Sequence, residues 1–162
     1  MISFKTSWLP SLLKTIPLIC LTFLSSISWS ASIESWDQQD IGTAALPGSA
    51  SEANGVITIS GSGNDIWNSA DDFYYVYFPV SGDASITVRV LSIENTHPWA
   101  KAAVMFRETL DTGSVNVALD YSAHERVAYQ WRPVADKRSY YWARHIGPGP
   151  HYLKLERVGD QF

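Results

Sequence analysis

The chain has 162 residues, 16 acids, 12 bases and a single cysteine. That length suits one ordinary domain, and one cysteine excludes an internal disulfide framework. A net charge of −4 with no basic run argues against a nucleic-acid partner.

The first thirty residues read as an export leader. Lys5 and Lys14 flank the approach to an apolar run over 16–27, and no acid precedes Glu34. Ser28-Trp29-Ser30 followed by Ala31 offers the small residues that a signal peptidase reads. The run is short and rich in serine for a membrane span, so an uncleaved anchor is the lesser alternative. The expected organisation is a signal peptide over 1–30 and one domain over 31–162, delivered to the periplasm, the cell surface or the medium. Cys20 leaves with the leader, and with it any thiolate metal ligand.

Residues 32–40 are expected to form a first strand around Trp36. Residues 43–54 carry turn chemistry in Leu46-Pro47-Gly48-Ser49 and Glu52-Ala53-Asn54-Gly55. Val56 to Ser60 reads as a short strand, followed by a flexible turn over 61–65 and a second loop over 66–72 centred on Trp67. The aromatic run over 73–80 is a strand that Pro79 ends or places at an edge. Residues 84–93 alternate cleanly, with Ile86, Val88 and Val90 inward and Thr87 and Arg89 outward.

The stretch over 99–110 organises the rest. As a strand it puts Ala100, Ala102, Val104 and Phe106 on one face and Lys101, Ala103, Met105 and Arg107 on the other. Alternating runs follow over 115–122, 127–132, 139–145 and 151–158, separated by turn signals. No convincing helix follows the leader. The expected fold class is therefore all-β, an antiparallel β-sandwich, with Phe106, Val88, Val90, Val117 and Leu155 in its core. Gly159-Asp160 is a hairpin turn with only Gln161 and Phe162 after it, which reads as a domain cut inside a hairpin at its C-terminus.

Four stretches together carry a family resemblance. They are Gly61-Ser62-Gly63-Asn64-Asp65-Ile66-Trp67 with 71–77, Gly82-Asp83 with 86–90, residues 99–107, and Tyr152-Leu153-Lys154-Leu155-Glu156-Arg157 with Gly159 and Phe162. This set resembles the concanavalin A-like (lectin/glucanase, laminin G-like) jelly-roll domains of exported bacterial proteins, and residues 99–107 are its most specific part. The family usually has glycine at the position of Ala103. It also continues beyond the last phenylalanine with a Ser-x-Asp-Gly hairpin and a tryptophan. The resemblance implies a jelly roll that serves as a sugar-binding or accessory module beside glycosidase or adhesion domains.

Strand alternation places Arg89, Lys101, Arg107, Asn116, Asp120, Gln130 and Arg132 opposite the apolar sets. If those strands are neighbours, they make one polar face whose amides and guanidinium groups suit sugar hydroxyls or a uronate carboxylate. The wet side of any half-buried sheet gives the same pattern. Arg107 is the first candidate to bind a polysaccharide or glycan, followed by Trp131, Arg89 and Gln130, then Asn116 and Arg132. Trp99, Tyr129, Trp131, Tyr140, Tyr141 and Trp142 can stack on a pyranose or fill the core.

Asp65, Asp71 and Asp72 offer oxygens to a hard cation such as calcium, or are solvated turn residues. The nearby acid pairs, Glu108 with Asp111 and Asp120 with Glu125, lack the spacing of laminarinase-type catalysts, and the four histidines are scattered. No catalytic residue is assigned. A non-catalytic glycan-binding or adhesion module leads. A sugar-active hydrolase or lyase and a purely structural domain beside other domains of a longer protein are the alternatives.

Overall fold

The structure is a computed structural model that describes residues 2–6, as backbone, and residues 32–162. Apart from its residues 2–6, the expected leader lies outside the described residues, as does Cys20.

The described chain is all-β and antiparallel, with no α-helix. Thirteen strands run in order: β1 (Ile2–Thr6), β2 (Asp37–Ile41), β3 (Ser49–Ala53), β4 (Val56–Ser60), β5 (Ile66–Trp67), β6 (Ala70–Asp71), β7 (Phe73–Tyr77), β8 (Ala84–Ile93), β9 (Lys101–Arg107), β10 (Asn116–Ser122), β11 (Arg126–Arg132), β12 (Tyr140–His145) and β13 (His151–Arg157). One sheet has the order β13-β8-β1-β4-β3 and a second the order β12-β11-β10-β9, while β2-β7 and β5-β6 are separate pairs. β1 pairs with β4 on one side and β8 on the other.

The main core lies between the sheets. Ile57, Val88, Val90 and Leu153 from the first sheet meet Ala102, Val104, Val117 and Tyr121 from the second. Each is the inward residue of an alternating run, so burial follows the two-residue period of the strand. Val88, Val90, Val117 and Leu155 are buried, while Phe106 sits at the core margin and packs on Phe162.

Two expected irregular segments contain strands. Within 43–54, Ser49–Ala53 forms β3, closed against β4 by Asn54 and Gly55, both at positive φ. An Asn-Gly pair fits a two-residue hairpin turn whose twist matches its strands. Within 66–72, β5 and β6 form a tight hairpin with Asn68 at φ 47°. At the start of the domain, the expected strand over 32–40 is a 3-10 turn, Ile33–Ser35, capped by the Ser32 side chain, and the strand proper is β2.

Candidate functional site

The outer face of the second sheet is built from rows of cross-strand neighbours. Register sets Arg107, Asn116 and Arg132 in one row, and Met105, Ala118, Gln130 and Tyr141 in the next. Then come Ala103, Asp120, Ala128 and Ala143, and finally Lys101, Ser122, Arg126 and His145. The sequence expectation of one polar face therefore holds for Lys101, Arg107, Asn116, Asp120, Gln130 and Arg132. It fails for Arg89, which belongs to β8 in the other sheet and sits over the Tyr152 ring at 5.8 Å.

Half of that face is covered. The β5-β6 hairpin lies on the first two rows, and the residues expected to meet ligand hold the hairpin instead. Arg132, 0 % exposed, donates to both carboxylate oxygens of Asp71, at 2.5 and 2.8 Å. Its guanidinium also reaches the carbonyl oxygens of Asn68 and Trp67. Arg107 pairs with Asp71 at 3.3 Å, and Asn116 donates to it at 3.1 Å. Gln130 donates to the Ile66 carbonyl, and Ile66 packs on Met105 and Ala118. Burial pulls the Arg107 guanidinium down from its ordinary pKa, with Asp71 opposing. Arg107, Asn116, Gln130 and Arg132 are thus shut away from a polymer ligand, because a carboxylate and three carbonyls delivered by a distant hairpin already take their donors. Asn116 keeps one buried oxygen, Oδ1, without a donor. Trp131 faces the other way. It packs against the inter-sheet core and stacks on Tyr140 at 5.8 Å.

The expected calcium set does not form. Asp71 is consumed by two guanidinium groups and an amide, Asp65 is paired with Lys101, and no group of three metal-binding side chains occurs among the described residues.

The other half of the face is open. Beside the hairpin lies a depression of about 260 Å³. It exists because Asp120 has alanines on both sides, Ala103 and Ala128, with Ala143 beyond. The methyl groups of Ala128 and Ala143 line the hollow between rows of longer side chains. Trp67 and Tyr141 stand on one side, edge to face with centroids 5.2 Å apart. Trp99 stands on the other, with the Arg126 guanidinium 5.6 Å from its ring centre. Trp99 is 47 % and Tyr141 51 % exposed, so large exposed rings line the hollow.

Asp120 lies at the floor and is 3 % exposed. Burial pushes its carboxyl up to about 7, with the Lys101 ammonium opposing and Asp65 adding to the rise. Its oxygens are not among the described buried atoms left without a partner, which are Asp72 Oδ1 and Asn116 Oδ1. Lys101, the nearest cation, is already paired with Asp65. Burial disfavours the ionised form of a carboxyl whose neighbouring cation is already engaged. Sequence reading had Asp120 and Lys101 on the polar face and Trp99 and Tyr141 among the surplus aromatics, but did not join them. The signal was there in the alanines spaced opposite Asp120, which only a register turns into a cavity.

Comparison with protein-family models, with curated proteins and with solved structures finds no match to this chain.

Proposed function

We propose that the domain is a non-catalytic glycan-binding module of an exported protein, and that its site is the hollow around Asp120. The observation that carries this reading is a polar floor under exposed aromatic walls. Trp67, Trp99 and Tyr141 offer flat apolar surfaces to the C–H face of a pyranose, as amphipathic aromatics do at interfaces. Asp120, Ser122 and Lys101 lie below them with donors and acceptors for ring hydroxyls. About 260 Å³ is near the low end of small-ligand pockets, room for one or two sugar rings of a longer chain. The resemblance to concanavalin A-like jelly rolls supports the same class of ligand, and the leader-like N-terminus supports export to where polysaccharides are met. Under this reading the domain positions neighbouring domains on a glycan.

A glycan array probed with the folded protein tests the proposal. Binding to a defined set of glycans is expected, and Trp99→Ala and Tyr141→Ala should abolish it while leaving the urea midpoint nearly unchanged, because both rings are half exposed. A blank array from folded protein, or binding that survives both substitutions, removes the proposal in favour of a structural domain.

A further inference from the structure

The charges around the hollow do not balance. Four charged side chains line it: Asp65 from the turn before β5, Lys101 from β9, Asp120 from β10 and Arg126 from β11. Lys101 and Asp65 are paired with each other. Burial pushes the Asp120 carboxyl up to about 7, with Lys101 opposing the rise and Asp65 adding to it. Below that pH the floor is neutral, and the guanidinium of Arg126 is the charge left over.

The outer face provides for its other bases. Arg107 and Arg132 share Asp71, Lys101 has Asp65, and the His145 ring faces Glu125 at 3.7 Å. His145 is the cross-strand neighbour of Arg126, so the acid next to Arg126 in sequence is turned to that neighbour instead. Arg126 enters none of the ion pairs among the described residues. Its side chain is exposed, and the guanidinium lies over the Trp99 ring, 5.6 Å from its centre. Trp99 is itself parallel to the His124 ring at 6.4 Å. An aromatic surface under a guanidinium limits where the group can point and leaves its N–H donors for another partner. A cation without an acid is thus held at the rim of the hollow, opposite the Tyr141 and Trp67 wall.

We propose that the hollow selects an acidic glycan, a chain of sugars that carry a carboxylate on the ring (uronic acid residues), and that Arg126 is the residue that selects it. The inference rests on the hollow being a glycan site. A pyranose lying against the Tyr141 wall presents its carboxylate at the ring's edge, and the guanidinium fork takes both oxygens through parallel N–H bonds. The floor does not oppose this. A protonated Asp120 donates an O–H and brings no second negative charge. A neutral hexose offers the guanidinium only hydroxyls, and an amino sugar brings a third cation to Lys101 and Arg126.

The probes are oligosaccharides of galacturonic, glucuronic and mannuronic acid. Each is paired with its carboxyl-reduced form, which keeps the ring and linkage and carries a primary alcohol in place of the carboxylate. Titration calorimetry is run with the full chain at about pH 6, where Asp120 keeps its proton. At least one acid should bind about tenfold more tightly than its reduced form, the size of one hydrogen bond to a charged group. Arg126→Gln should erase that difference and leave the urea midpoint in place, since the side chain is exposed and outside every ion pair described. Arg126→Lys, which keeps the charge and loses the fork, should keep only part of the difference. Equal binding of acid and reduced forms, or a preference that survives Arg126→Gln, overturns the inference. So does tighter binding of sulfated dextran than of all three acids. Binding confined to neutral or amino sugars overturns it while the glycan-binding reading stands, and no binding to any sugar removes both.

Discussion

Replacing Asp120 by asparagine keeps the shape of the side chain and removes its titration. In the wild type the folded-state pKa is near 7, against an ordinary value of 3.8, and the cause is burial beneath the aromatic walls. The folded chain then holds its proton through a range in which the unfolded chain has lost it, so stability falls as pH rises from about 4 to about 7. Below that window both states are protonated and the group contributes nothing. Above it the full cost of an ionised buried carboxylate is present. The gap between 3.8 and about 7 corresponds to about 4 kcal/mol at 1.36 kcal/mol per pH unit, an upper value for the real site. Urea titrations of both proteins from about pH 4 to about pH 8 read this directly, because every other acid cancels in the difference. Asp120→Asn should be close to wild type at the acid end and more stable by up to about 4 kcal/mol at the alkaline end. A difference that does not change with pH would refute the placement of a buried carboxyl at the floor of the hollow.

Three further substitutions test the architecture of the domain. Asp71→Asn leaves the buried guanidinium groups of Arg132 and Arg107 without a counter-charge. It should cost about 3–5 kcal/mol in a urea titration, and a loss under about 1 kcal/mol would mean that the hairpin is held by something else. At Gly63 an added Cβ would stand 1.9 Å from the Asp72 carbonyl oxygen, a backbone atom that cannot step aside, so Gly63→Ala should fail to give folded protein by circular dichroism. Gly82→Ala meets nothing within 4 Å at φ +73°, and should cost only about 1 kcal/mol of left-handed strain.

The strands were legible because each buries one face, and a two-residue period survives in the sequence without any knowledge of partners. Val88 with Val90, or Ala102 with Val104, announces its orientation locally. What lies on the other face is not local. Arg132 and Asp71 are 61 residues apart, and nothing in the alternation of 127–132 says that a hairpin will arrive to cover it. Arg89 has the same polar alternation as Arg107 yet points from the opposite sheet, because strand order decides which polar residues share a face. The calcium expectation failed for a related reason. Three acids close in sequence looked available, while the cations that claim two of them come from β9 and β11.

Asn116 and Asp120 stand four residues apart on β10, on the same outer face, and that face treats its polar groups unequally. Around Asn116 the Asp71 carboxylate collects donors from three side chains; around Asp120 there are alanines, and the nearest cation is already paired with Asp65. A carboxyl set among alanines at an open hollow costs stability once it ionises, and that cost is one reason the hollow is proposed as the ligand site.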